Sequence, residues 1–181
     1  PMIEHGGVLI LVKNDLKFTI LENLSSVSVS RDCEIVGVMI ESFQLIVISV
    51  YRSPSSDLKK FLDILANILP TIYKFPRVMI LGDFNICALE DTTNFQRLSG
   101  LFSSFNLLPL VNEPTRSSRC IDNVFINFSQ PVESKVIVQD VFFSDHRAVI
   151  VHSPLAKSAL NEKNLIEIRP VTATKLQNFE Y

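Results

Sequence analysis

The sequence predicts an α+β fold in which packed sheets dominate and two helices are set between them. Three observations predict it. The first half is a series of short apolar or alternating runs separated by polar breaks. Two later stretches carry apolar residues at helical spacing. Between them, Val78 to Leu81 form a continuous apolar run, the pattern of a strand buried on both faces.

In chain order, Gly7 to Val12, Phe18 to Leu21, Ser25 to Val29, Glu34 to Ile40 and Leu45 to Tyr51 read as strands, with a turn at Asn14-Asp15 and another starting at Glu41-Ser42. The clearest helix follows. Ser55 or Ser56 can cap it, Leu58, Phe61, Leu62, Leu65 and Leu69 form its apolar stripe, and Pro70 marks its end. Asp57, Lys59, Lys60 and Asp63 fall off that stripe, which is therefore core packing. After strand 78–81 a second helix runs from about Thr93 to Phe105. Leu107 to Val111 is extended, 112–119 is a polar loop, and Ile121 to Asn127, Val132 to Val141 and Ala148 to Val151 are strands. From Ser153 onward the pattern turns polar, as in a tail or linker with a short helix near its end.

A chain of 181 residues suits one domain with a substantial core. At 47% hydrophobic and 20% charged it is globular in composition, and it has no apolar run of membrane-spanning length. A net charge of −2 gives no global attraction to nucleic acid, so contact with DNA would need a local basic patch or a bound cation. The three cysteines, Cys33, Cys87 and Cys120, are widely spaced and suit a reducing, intracellular compartment, nuclear or cytoplasmic.

Four polar stretches fall at strand ends: VYRSP (50–54), GDFN (82–85), CIDNVFIN (120–127) and FSDHRAV (143–149). In GDFN, Gly82 permits a close backbone approach, and alternation about Phe84 would point Asp83 and Asn85 the same way. Side by side they can orient a water or hold a phosphate or metal; they can equally form an Asx turn that closes the strand. Asp122 alone suits a turn or cap. Asp145-His146 is more suggestive, because a histidine facing a phosphate donates a hydrogen bond if a carboxylate holds its other nitrogen. Asp122 can be that carboxylate if strands 121–127 and 148–151 are neighbours.

These stretches, with GGVLILVKNDL (6–16) and LFSSFNLLPLVNEPTR (101–116), resemble the endonuclease/exonuclease/phosphatase superfamily, the DNase I-like fold. The likeness runs from about residue 6 to 152 and is greatest to endonuclease domains of non-LTR (LINE-type) retrotransposons. It implies a two-layer β-sandwich flanked by helices, four layers in all (α/β/β/α), for residues 1–152. IRPVTATKLQNFEY (168–181) resembles the lead-in to a reverse transcriptase, so 153–181 is expected to be a linker. The resemblance also implies a metal-dependent nuclease that nicks DNA. Asp83 would activate water or protonate the leaving oxygen, and Asn85 would orient phosphate and nucleophile. His146, fixed by Asp122, would stabilise the transition state, Tyr51 would contact the scissile phosphate, and Asp145 would belong to the metal cluster. Mg2+ (or Mn2+) suits such an oxygen-rich site. Thr115, Arg116, Ser117, Ser118 and Arg119 offer donors for a DNA backbone, or a merely solvated loop.

One departure accompanies the match. Members of this group begin with a strand carrying an asparagine and a strand ending in the metal-binding glutamate, and the sequence is expected to start after both. Glu4 stands too close to the Gly-Gly strand to be that glutamate, and His5 reads as a solvated terminal residue. The expected consequences are weak metal binding, poor nicking, exposed apolar side chains at Val8 to Val12 and Val78 to Leu81, and self-association or a partner strand at an open sheet edge. The alternatives are a catalytically inactive, domesticated remnant acting as an interaction module, and a phosphomonoesterase or phospholipase of the same superfamily.

Overall fold

The computed structural model describes residues 7–29, 32–90, 92–128 and 134–155. Glu4, His5 and almost all of the 153–181 tail lie outside these. Eight strands occur among the described residues: β1 (Phe18–Ile20), β2 (Cys33–Ile40), β3 (Leu45–Arg52), β4 (Arg77–Asp83), β5 (Leu108–Pro109), β6 (Asp122–Ile126), β7 (Lys135–Gln139) and β8 (Ala148–His152). Three α-helices accompany them: α1 (Glu22–Ser25), α2 (Leu58–Ile72) and α3 (Thr93–Ser103). Six strands form a mixed sheet in the order β1-β2-β3-β4-β6-β5, and β7 and β8 form a second, two-stranded sheet. Only the β3–β4 pair is parallel, with α2 as its crossover.

Alternation along the central strands separates two cores. Ile46, Ile48 and Val50 of β3, Val78 and Ile80 of β4 and Phe125 of β6 pack beneath the helices, against Phe61, Leu65 and Leu69 of α2 and Leu98 and Phe102 of α3. The opposite face presents Leu45, Val124 and Ile126 to Val136 and Val138 of β7 and Val149 and Val151 of β8. The described residues thus stack a helical layer, the large sheet and the small sheet, a DNase I-like sandwich. All three cysteines are free and buried.

Several local expectations are corrected. Gly7 to Val12 joins no ladder among the described residues; it packs Ile10 and Val12 on the inter-sheet core. The expected strand at 25–29 does not form: the short helix α1 ends at Ser25, a turn follows it, and Val29 keeps a single bridge to Cys33. The reason is a recess over Gly37: a Cβ there would lie 2.6 Å from the Leu24 side chain and 3.5 Å from Leu21. A helical turn delivers both leucines into that space. Helix α2 is capped by Asp57, whose side chain accepts from Lys59 N at 2.7 Å, rather than by Ser55 or Ser56. Pro70 does not end it. Proline removes one helical donor near the exposed end, and burial of Ile72 retains the last residues. The exposure expected over Val78 to Leu81 is also absent: Val78 and Ile80 are each 1% exposed, because β4 is interior to the large sheet. Leu9 and Leu11 are exposed as expected.

Candidate active site

The site forms where β4 and β6 reach the same rim. Gly82 makes the approach possible. Its φ is +147°, and a Cβ would sit 1.8 Å from the carbonyl oxygen of Val50 on β3. Strand β4 therefore runs close beside β3 up to Asp83, with Tyr51 and Asp83 in register. After Asp83 the chain reverses. Asn85 takes φ 51°, a conformation asparagine tolerates, and its N–H donates to Asp83 Oδ1 at 2.9 Å. The Asx turn and the placement of a carboxylate at the rim are thus one feature.

The turn is fixed from below. Phe84 is 1% exposed and meets Phe61, Phe102 and Phe125 edge-to-face, with centroids 5.3–6.4 Å away. Its N–H donates to Ile121 O at 3.0 Å. Asn85 Nδ2 donates to Arg52 O at 2.7 Å. The Arg52 side chain is buried, donates to Ser56 O at 2.7 Å and to Phe84 O at 3.5 Å, and stands 5.8 Å from the Phe61 ring centroid. Burial pushes its pKa down, opposed by Cys33, Asp57 and Asp83. Arg52 was absent from the sequence-based candidates, although alternation signals it: it shares a face with Ile46, Ile48 and Val50, so a cation there must enter the core.

Asp122 opens β6 directly opposite Asp83 in the antiparallel register. Thr115 holds its backbone. That hydroxyl is completely buried and accepts from Ile121 N at 3.1 Å and Asp122 N at 3.0 Å. Thr115 is therefore corrected from a DNA-backbone donor to an internal support, since a buried and doubly engaged hydroxyl has no access to a ligand. Opposite Asp122 stands His146, whose Nδ1 lies 2.9 Å from Oδ2 and 3.1 Å from Oδ1. An ionised carboxylate only accepts, so Nδ1 carries the hydrogen and Nε2 is left for a substrate. The pair does not join neighbouring strands. Asp122 belongs to the large sheet and His146 to the loop leading into β8 of the small one.

Ligand atoms of Asp83, Asp122 and His146 lie within 4.8 Å of one another, and the two aspartates, with Arg147 and Val149, line a cleft of about 220 Å³ between the sheets. Burial raises the Asp83 pKa; Asp122 raises it further, while the Asn85 N–H, His146 and Arg116 oppose. A carboxylate so placed is ready to hold a proton or to welcome a compensating cation. Asp145 does not join this group. Its carboxylate takes Arg116 Nε at 2.8 Å and Nη2 at 2.6 Å, a hydrogen-bonded pairing that holds its pKa below the usual range. Ser117, Ser118 and Arg119 are exposed on the neighbouring turn, and Arg119 lies 3.7 Å from Glu90.

A family model described as endonuclease-reverse transcriptase matches residues 45–150. The chain belongs to that family. Within the endonuclease-reverse transcriptase family, the match spans β3 through most of β8 and includes every residue of the site just described. Among solved structures, the fold is similar to the endonuclease domain of TRAS1, a telomere-specific non-LTR retrotransposon. The TM-score is 0.65 at 18% identity, covering 80% of this chain and 72% of that one. It is also similar to the 3′ phosphatase NExo from Neisseria, with a TM-score of 0.56 at 16% identity, covering 78% and 71%. At such identities the likeness is one of fold. No curated protein sequence matches the chain. Among the described residues, no helix is long and apolar enough to cross a membrane.

Proposed function

We propose that this domain hydrolyses phosphodiester bonds of DNA, nicking one strand with the help of a divalent cation. The observation that carries the reading is the Asp122–His146 pair facing Asp83 across the two sheets. In this reading His146, oriented by Asp122 and acting as the imidazolium, donates from Nε2 to a phosphate oxygen as negative charge develops there. Asp83, its pKa raised by burial, exchanges a proton with the attacking water or the leaving oxygen. Asn85 and Tyr51 position the phosphate, and Arg116, Ser118 and Arg119 meet the flanking backbone. The donor set fits a hard cation such as magnesium or manganese: carboxylate oxygens without thiolate, and a raised Asp83 pKa that a positive ion would offset. Asp83 and Asp122 would hold it, and it would supply charge neutralisation at the phosphate. Asp145 would take part only by releasing Arg116. We read residues 1–152 as the nuclease domain and 153–181 as the approach to a reverse transcriptase.

The test is conversion of supercoiled plasmid to open circle with magnesium or manganese. Asp83→Ala, His146→Ala and Asp122→Asn should each slow it by roughly 10²–10⁴-fold. If all three nick at the parental rate, the site is wrong. If the parental protein nicks with neither metal and instead releases a 3′-terminal phosphate from an oligonucleotide, the nuclease reading fails and gives way to the phosphomonoesterase.

A further inference from the structure

The loop joining β7 to β8 carries two phenylalanines that the nuclease chemistry does not use. Phe142 is 100% exposed and Phe143 is 77% exposed. Their rings meet edge-to-face, 5.3 Å apart at 88°. Adjacent exposed aromatics lose the benefit of burial and signal a binding surface. The loop that displays them is tied at both ends. Arg147 Nε donates to Asp140 Oδ1 at 2.7 Å on one side, and Asp145 takes Arg116 on the other. Ser144 Oγ also accepts from His146 N at 3.0 Å. The tip is thus a positioned projection, and Phe142 stands four residues before His146. Fully extended chain spans at most about 3.6 Å per residue, so the two α-carbons are within about 14 Å, roughly four base-pair steps of duplex DNA.

We infer that Phe142 is a base-stacking element that sets the register of duplex DNA on the site, with Phe143 as its brace. The perpendicular contact with Phe143 leaves Phe142 fully exposed and open to a base. The pair stands within four residues of His146, so the DNA of the proposed reaction lies within its reach, and an aromatic wedge beside a minor groove or opened base step is a recurrent way to grip DNA. The inference rests on the DNA-nicking reading and specifies how that substrate is held.

The chain contains no tryptophan, so Phe142→Trp yields a single-tryptophan reporter. Its emission should be quenched on adding a short duplex and unchanged on adding heparin, a polyanion without bases. Phe142→Ala should weaken duplex binding, measured by fluorescence anisotropy, by roughly 5- to 100-fold, while heparin affinity and Tm stay at parental values. Phe143→Ala should have a smaller effect in the same direction. Unquenched emission with DNA bound, or parental affinity in Phe142→Ala, overturns the inference. So does a light-scattering change from dimer to monomer in Phe142→Ala with DNA affinity intact, which assigns the pair to a second copy. Failure of the parental protein to bind duplex at all would instead refute the nuclease reading beneath it.

Discussion

Gly82→Ala and Gly100→Ala apply the same chemical change to two glycines with opposite surroundings. At Gly82 the new methyl would meet the Val50 carbonyl oxygen at 1.8 Å, its carbon at 2.8 Å and its nitrogen at 3.0 Å, all backbone atoms. No side-chain rotation relieves that contact. Moving β4 aside is also obstructed, since Gly82 is laddered to Val50 on one side and Asn123 on the other. A side chain held at φ +147° costs about 1–3 kcal/mol. Parting the strands loses one or two ladder hydrogen bonds at about 1 kcal/mol each. Together these amount to roughly 2–5 kcal/mol, a fall of about 4–20 °C in Tm for a domain of this size. At Gly100, on helix α3, nothing lies within 4 Å of the added methyl, and alanine should stabilise by about 0.5–1 kcal/mol. Thermal and urea denaturation followed by far-UV circular dichroism measure both. A Gly82→Ala protein melting within a degree or two of the parent would refute the claim that β3 and β4 need a bare α-carbon here.

Two further outcomes test the site's supports. Thr115→Val keeps the volume but strands two buried N–H groups, so it should cost roughly 2–4 kcal/mol in urea denaturation, whereas Thr115→Ser should lose about 1 kcal/mol; equal losses would show that the methyl matters and the hydroxyl does not. Asp83 has its pKa raised in the folded state, so folding is favoured while it is protonated, and that contribution is lost as pH rises from the ordinary carboxylate range through the raised value. Asp83→Asn should therefore raise Tm at neutral pH in chelator-containing buffer, by about 2–4 °C per kcal/mol relieved, with the gain shrinking as pH falls toward 4; a gain that grows on acidification would reverse the sign of the argument.

Strands β2, β3, β4 and β6 and helices α2 and α3 were legible because periodicity and burial agree in them. Local reading failed where a distant residue decides. The Leu24 turn depends on the absence of a side chain at Gly37. Pro70 and the Asp57 cap show a smaller failing, in which tertiary burial of Ile72 and a competing side chain moved the helix ends. In the site, the pairing of Asp122 with His146 was anticipated, but through neighbouring strands; the structure makes it across two facing sheets, a relation that local sequence does not encode. Arg52 and Thr115 were passed over or misassigned for a common reason. Their functions are carried out toward the interior, and sequence chemistry directs attention to what polar groups offer the solvent.

The bond between Asp122 and His146 has its ends in different layers, so its length is a measure of how far apart those layers sit. Leu45, Val124, Ile126, Val136, Val138, Val149 and Val151 fill the gap. A methyl group gained or lost there costs modest stability, and neighbouring side chains can relax around it. A hydrogen bond of 2.9 Å has less latitude: about half an ångström of separation takes the imidazole out of its productive placement. These inner valines act as a spacer gauge for the chemistry, and a substitution far from any polar atom can detune the histidine while the protein still folds.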